Sequence, residues 1–167
     1  MNELKVNFDN LTVEERAELL KLVEKANKPK SKVWKPKEGE EYYVYIVSGI
    51  IIHDVWNGDG VDENRYTIGN CFKTEEEAQN AVERLKIRAE LQRYADEHND
   101  KPIDWWNIRQ KKWYIRFDYF NKTVGCAAIT IARDCFQIYF SSEEVAKAAV
   151  QAVGEERIKK YLFEVEE

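Results

Sequence analysis

This sequence contains little histidine and no closely spaced cysteine pair. Its 167 residues include two histidines, His53 and His98, and three cysteines without a CxxC pair. An odd cysteine count without zinc-site spacing predicts free thiols, packed as small hydrophobes in a reducing compartment. We expect neither histidine to be catalytic. His98 ends a helical pattern, where the helix dipole favours it, and His53 and its strand neighbour Asp54 should point to opposite faces.

The sequence also lacks the motifs of common enzyme classes. It contains no GxSxG, GxGxxG or GxxxxGK[ST]. Residues 57–64, NGDGVDEN, offer oxygen ligands of the kind calcium prefers, but without helix-loop-helix spacing, so we expect a hairpin tip there. Adjacent glutamates fall at expected helix starts, where the helix dipole favours them. We therefore expect no catalytic residues, no cofactor, no metal site and no enzymatic activity.

An excess of positive charge and long apolar runs are missing as well. The formal net charge is -5, whereas proteins dedicated to phosphate backbones are usually basic. No run approaches the roughly 18 apolar residues of a membrane-spanning helix, and residues 1–10 lack the apolar core of a signal peptide. We expect a cytoplasmic protein in a bacterial host cell, with no membrane partner and with nucleic acid a less favoured partner.

What the chain does contain predicts a folded domain preceded by one helix. Hydrophobic residues make up 44% and aromatic residues 13% of the chain, more than disordered segments carry. Thr12 and Glu15 have the spacing of a capping box, so a helix is expected over residues 12–26. Two prolines and five lysines in residues 27–39 predict a solvated linker anchored by Trp34. Residues 1–39 are thus predicted as helix plus linker, and residues 40–167 as the main domain.

The main domain is expected to be α+β, with one strands-then-helix unit used twice. Aromatic and β-branched runs predict the order β-β-β-α in each half. The strands are expected at 42–48, 50–56, 65–72, 112–120, 124–132 and 135–140, the helices at 75–98 and 143–153, and a short helix or turn at 155–163. The halves, residues 40–100 and 111–167, begin near Tyr43 and Trp113 and share the junctions FKTEEEA and FSSEEVA. Capping-box spacing recurs in both, at Thr74 with Glu77 and at Ser141 with Glu144. We interpret this as a pseudo-duplication with antiparallel sheets packed on helices.

Five tryptophans and nine tyrosines are the main functional signal. Large rings serve first as core, but exposed ones dominate protein interfaces. The halves differ most at the acidic loop and at the connector IDWWNIRQ, residues 103–110. We therefore expect exposed aromatic and charged side chains in these two segments to contact a partner. The candidate contact residues are Trp56, Asp59, Asp62, Glu63, Trp105 and Trp106.

Two other binding functions stay open from the sequence. A ligand-binding module, such as a sponge for a signalling nucleotide, would use a pocket lined by Tyr43, Arg65, Trp113 and Arg116. A nucleic-acid binder would stack bases on the aromatic and basic stretch KKWYIRF, residues 111–117.

Several segments together resemble a widespread group of small uncharacterised phage and prophage proteins of Gram-positive bacteria. The resemblance covers about residues 34–163 and rests on WKPKEGEEYY, on GNCFKTEEEA at 69–78 and on IYFSSEEVA at 138–146. It supplies no catalytic residues. It implies an accessory phage product of a kind that often inhibits a host machine by binding it, CRISPR effectors included. The partner expected from the resemblance is a host or defence-system protein.

Overall fold

The computed structural model describes residues 11–27 and 33–165, with the side chains of residues 24–27 left out. The chain divides into two compact units, residues 1–35 and 36–167. In the first unit, helix α1 (Val13–Asn27) begins at the predicted capping box. Thr12 donates its backbone N–H to the Glu15 carboxylate at 2.8 Å, and Glu15 returns its own N–H to the Thr12 hydroxyl at 3.2 Å. The predicted polar start of the chain and most lysines of the linker lie outside the described residues.

The second unit is α+β, as the sequence predicts. Its elements, in chain order, are β1 (Glu41–Tyr45), β2 (Ile51–Val55), α2 (Gly60–Thr67), α3 (Glu75–His98), β3 (Lys112–Asp118), β4 (Thr123–Ile129), α4 (Glu143–Val153) and α5 (Glu155–Leu162). Strands β1 and β2 form one antiparallel hairpin, and β3 and β4 form another. Within the described residues these are two two-stranded sheets, each followed by helices.

The third strand predicted for each half is wrong. One phenylalanine takes its place in each half, because only that residue pairs with the first strand. Tyr43 and Phe72 exchange both backbone hydrogen bonds at 2.9 Å, and Trp113 and Phe140 do so at 3.0 and 2.7 Å. The two halves thus close in the same way, at the residues that the sequence aligns.

Residues 57–67 are not a hairpin tip followed by a strand, as predicted, but the entry into helix α2. The Asp59 side chain accepts the N–H groups of Val61 and Asp62, at 2.8 and 3.0 Å, and so caps the helix N-terminus. Such a cap satisfies two donors that a helix start leaves unpaired. Capping therefore outweighs the strand propensity of the sequence that follows.

Helix α3 is the element that both halves share. It contacts β1 and β2 of the first hairpin and also α4 and α5 of the second half, while α4 and α5 pack on the second hairpin. The main core forms around it from apolar side chains of both halves: Ile87, Leu91, Ala95, Ile115, Phe140, Ala146, Ala149, Val150 and Ile158.

Ion pairs and caps fix these helices in place. Arg157 of α5 donates to Glu90 at 2.6 and 3.1 Å and to Glu83 at 3.1 and 3.2 Å, both on α3. Thr74 caps α3 as predicted. The cap of α4 is Ser142, which accepts the Val145 N–H at 3.2 Å, so the predicted capping role of Ser141 is wrong by one residue.

Candidate functional site

A cluster of one phenol and three charged side chains, which we call the buried cluster, occupies the first half. Tyr42 and Asp62 are buried, whereas the side chains of Arg65 and Asp54 are 22% and 43% exposed. Tyr42 on β1 donates its hydroxyl to the Asp62 carboxylate at 2.6 Å. Arg65 of α2 donates through the same nitrogen, Nη1, to the Tyr42 oxygen at 2.7 Å and to Asp54 on β2 at 2.6 Å. The cluster joins β1, β2 and α2, so its first role is to hold the short helix on the hairpin.

Asp62 is buried yet fully satisfied. The residue is 3% exposed. Its carboxylate oxygen Oδ1 accepts the Tyr42 hydroxyl, and Oδ2 accepts the backbone N–H groups of Asn57 and Gly58 at 2.7 and 3.1 Å. The hydrogen bond from Tyr42, followed by these two, lowers the pKa of Asp62. Burial, and then the bond to Asp62, raises the pKa of Tyr42 to about 12.

The other two members of the cluster also stay charged. The hydrogen bond from Arg65 lowers the pKa of Asp54, and the bond to Asp54, followed by that to Tyr42, raises the pKa of Arg65. A catalytic acid or base needs a pKa near the working pH. All these shifts lead away from neutrality, and the hydrogen bonds of the cluster join α2 to the first hairpin.

This cluster changes the interpretation of the acidic-loop prediction. Trp56 was expected to be exposed, and this is wrong: it is 4% exposed and packs edge-on against Tyr42 and Tyr66, with ring centroids at 5.9 and 6.3 Å. Asp62 is wrong as an exposed contact for the same reason. Asp59 and Glu63 do lie at the surface, although Asp59 caps α2. The spacing of Asp59 to Asp62, typical of a helix start, was the signal that sequence reasoning missed.

The four residues of the alternative ligand pocket are divided between the two hairpins and their flanking elements. Tyr43 is on β1 and Arg65 contacts β1 and β2, whereas Trp113 and Arg116 are on β3. Their partners are separate too. Arg65 belongs to the buried cluster, Trp113 has the Lys111 ammonium 5.9 Å from its ring centroid, and Arg116 lies 3.9 Å from Asp118. None of the contacts found among described residues joins one pair to the other.

The connector, residues 103–110, is anchored by a buried lysine. Lys112 is 0% exposed and donates its ammonium to the carbonyl oxygens of Asn107 and Thr130, at 2.7 and 3.0 Å. These bonds tie the connector to the segment that follows β4, residues 130–139, which we call the return loop. A buried ammonium cannot contact phosphate, so the KKWYIRF stretch loses one of its predicted nucleic-acid contacts.

Hydrogen bonds inside the connector fix its backbone. Gln110 accepts the Asp104 N–H at 2.7 Å and donates to the Pro102 carbonyl at 2.9 Å. Asp104 accepts the Trp106 N–H at 2.9 Å. Side-chain bonds of this kind replace the missing strand or helix ladder. The connector is thus an ordered loop with a defined shape.

The two adjacent tryptophans have opposite environments. Trp105 is half-buried, edge-on to Tyr139 at 4.8 Å, with the cations of Arg133 and Lys112 at 5.3 and 5.5 Å from its ring centroid. Trp106 is 95% exposed. Trp105 therefore joins the connector to the return loop, and Trp106 projects from the surface that they form.

The connector and the return loop together make what we call the two-loop surface. Besides Trp106, it carries three more exposed large apolar side chains, Ile108, Ile131 and Phe136. Exposed single apolar residues are ordinary, but several on loops bonded to each other are typical of interaction sites.

Searches for metal sites, membrane-spanning helices and similar proteins give no further indication of function. Across residues 11–27 and 33–165, no group of three or more His, Cys, Asp or Glu side chains is placed to hold a metal ion. No helix in those ranges has the length and apolar character needed to cross a bilayer. Searches against family models, curated proteins and solved structures found no match.

Proposed function

We propose that this chain is a non-enzymatic binding protein that occupies or sequesters a host protein through the two-loop surface. The observation that carries the proposal is Trp106, which is 95% exposed on a loop whose backbone is held by Asp104, Gln110 and Lys112. A rigid, exposed tryptophan loses little conformational entropy on binding and buries a large area. Tryptophan is also among the residues most enriched at interface hot spots.

The composition of the surface supports a protein partner over a nucleic acid. Its apolar members are Trp106, Ile108, Ile131 and Phe136. Of its two arginines, Arg109 and Arg133, the second already lies over Trp105, and the same loops carry two aspartates. Aromatic, aliphatic and arginine side chains together are typical of interface centres. A backbone-phosphate site would need more free cations than this surface offers.

A phage origin and a host defence target extend the same proposal. Their support is the resemblance of residues 34–163 to phage and prophage proteins, whose small accessory members often block host machines. Duplication of one hairpin-and-helix unit is part of the proposal, supported by the matching backbone pairs at Tyr43 with Phe72 and Trp113 with Phe140. The departures from that repeat, the connector above all, are where a partner-specific surface would arise.

A pull-down with matched variants tests the proposal. Tagged wild-type protein, Trp106→Ala and Phe120→Ala are each exposed to lysate of a Gram-positive host. Phe120 is the matched control, since it is 94% exposed at the turn between β3 and β4. We expect a host protein that wild type and Phe120→Ala retain and Trp106→Ala loses. Loss of a hot-spot tryptophan should weaken the purified complex about 30-fold, from about 2 kcal/mol.

A cell assay then addresses defence inhibition. The three proteins are expressed in a host that carries a functioning defence system, and phage plating efficiency is measured. Recovery of plating by wild type and Phe120→Ala, but not by Trp106→Ala, is the expected result. A partner retained equally by all three proteins, or no partner at micromolar protein, would count against the two-loop surface.

A further inference from the structure

The first half closes the outer edge of β1 with one carboxamide. Asn70 accepts the Tyr45 N–H through Oδ1 at 3.0 Å and donates to the Tyr45 carbonyl through Nδ2 at 2.8 Å. Two residues earlier on the strand, Tyr43 pairs with Phe72 on the same side. Because peptide groups alternate along a strand, every second residue faces that side. Asn70 therefore takes the place that a third strand would fill.

The second half has the same strand edge without the carboxamide. Trp113 pairs with Phe140, so Ile115, two residues on, presents its N–H and carbonyl to the same side. Asn70 lies two residues before Phe72, and the residue two before Phe140 is Ile138. An isoleucine side chain has neither donor nor acceptor. Among the described residues, none is found to hydrogen-bond the Ile115 peptide groups on that side.

A cavity of about 200 Å³ lies at this edge. Ile115, which is 5% exposed, lines it together with apolar side chains such as Leu91, Phe140 and Leu162, and with the polar side chains of Arg88, Asp134 and Gln137. Buried peptide groups without partners are rare in native proteins and ask for an explanation. An apolar cavity with a few unpaired polar groups is the usual form of a small-molecule site.

The cavity also contains a cation that makes no ion pair among the described residues; the Asp134 carboxylate, which lines the cavity too, instead accepts the Phe136 N–H at 3.0 Å. Arg88 of α3 lines it and makes no hydrogen bond or ion pair with any described residue. The arginines packed nearby on the helices are paired, Arg84 with Glu164 and Arg157 with Glu83 and Glu90. An unpaired guanidinium beside apolar walls favours a carboxylate or another planar anion.

We propose that this cavity binds a small planar acid with a lactam or primary carboxamide edge. The edge accepts from the Ile115 N–H and donates to the Ile115 carbonyl, as Asn70 does for Tyr45 in the first half. The acid pairs with Arg88, and the ring lies between apolar side chains such as Leu91 and Phe140. The cavity volume limits the ligand to about one ring. The cavity shares Phe136 and other residues of the return loop with the two-loop surface, but it is not lined by Trp106 or by any other residue of the connector.

An NMR titration with three small probes tests the site. Orotate has a lactam edge and a carboxylate, uracil has the lactam edge alone, and benzoate has the carboxylate alone. For probes of this size, millimolar dissociation constants are expected. We expect the Ile115 amide signal to move with orotate, less at equal concentration with uracil, and not with benzoate. An Ile115 signal unmoved by all three probes, or moved equally by benzoate, overturns the proposal.

Two variants separate the two parts of the site. Ile138→Asn supplies the carboxamide of the first half, so orotate should no longer move the Ile115 signal. Arg88→Gln should weaken orotate at least tenfold and leave uracil unchanged. Arg93→Gln, an exposed arginine on the same helix, is the matched control and should bind orotate as wild type does.

Failure of the cavity site can be distinguished from failure of the proposed protein interface. Trp106→Ala should keep orotate binding, because the side chain is not among those lining the cavity. If Ile138→Asn fails to fold, the Arg88→Gln comparison still decides. Equal orotate affinity in Arg88→Gln and Arg93→Gln would contradict the role of Arg88 and with it the assigned ligand class.

Discussion

Replacing Tyr42 by phenylalanine removes one oxygen that joins two charged side chains. That oxygen donates to Asp62 at 2.6 Å and accepts from Arg65 at 2.7 Å. The ring itself stays, so its edge-on packing against Trp56 is retained. The variant therefore isolates the hydrogen bonds of the buried cluster from the packing of the first hairpin.

The expected loss of stability follows from the hydrogen bond that each of the two charged side chains, Arg65 and Asp62, would lose. Arg65 keeps its ion pair with Asp54 at 2.6 Å. Asp62 keeps its two backbone N–H donors but loses the Tyr42 hydroxyl, its shortest hydrogen bond. Because the residue is only 3% exposed, water has little access to replace that donor. A hydrogen bond to a charged group contributes about 1.5–3 kcal/mol. We expect Tyr42→Phe to lower the free energy of unfolding by about 2–3 kcal/mol.

Urea unfolding followed by tryptophan fluorescence measures this loss. The midpoint should fall while the m-value stays the same, because the folded shape is unchanged. Tyr43→Phe is the matched control: the neighbouring phenol is half-buried and makes no hydrogen bond with the described residues. The control should lie within about 0.5 kcal/mol of wild type. Equal midpoints for the two variants would refute the assigned role of the cluster.

The pH dependence gives the same prediction a second readout. The folded pKa of Asp62 is lowered, so its stabilisation is present above the unfolded pKa of about 3.9 and is lost as pH falls through the folded value. The folded pKa of Tyr42 is raised to about 12. Its stabilisation is complete below the unfolded value of about 10 and is lost between there and 12, by about 3 kcal/mol. The gap between wild type and Tyr42→Phe should be constant near neutrality and shrink at both extremes.

Two further variants probe the strand edge and the connector. Asn70→Ala leaves the Tyr45 N–H and carbonyl without partners and should cost about 2 kcal/mol in urea unfolding, whereas Asn64→Ala, exposed on α2, should change stability by less than about 0.5 kcal/mol. Lys112→Met removes the two bonds that tie the connector to the return loop, so hydrogen exchange at Trp106 should become about tenfold faster; exchange at the wild-type rate would contradict the anchoring role of Lys112.

Helices α1, α3, α4 and α5, and the equivalent pairing positions of the two halves, could be predicted from the sequence because their signals are local. Thr74 lies immediately before a run of helix-forming residues, and its cap forms as predicted. Tyr43 and Trp113, aligned by the sequence, do occupy equivalent pairing positions. The cap at Ser142 instead of Ser141 is a boundary error of one residue, the scale at which helix ends are ambiguous.

The third strands and the buried cluster could not be predicted, because long-range contacts decide them. Residues 65–72 have strand propensity, but Asp59 caps a helix there and Arg65 needs that helix to reach Asp54 and Tyr42. Asp62 reads as a surface residue unless its phenol partner, twenty positions away, is known. The exposure of Trp106 could be predicted, since its connector is where the sequences of the two halves differ.

Because elements of both halves pack on α3, the first half cannot bury all of its apolar surface until the second half has been synthesised. The ribosome synthesises Ile87, Leu91 and Ala95 before it synthesises residues 143–162, which pack against them. Until then a nascent chain carries an apolar helix face that another nascent chain, or a chaperone, can contact. An isolated fragment of residues 36–100 should accordingly self-associate.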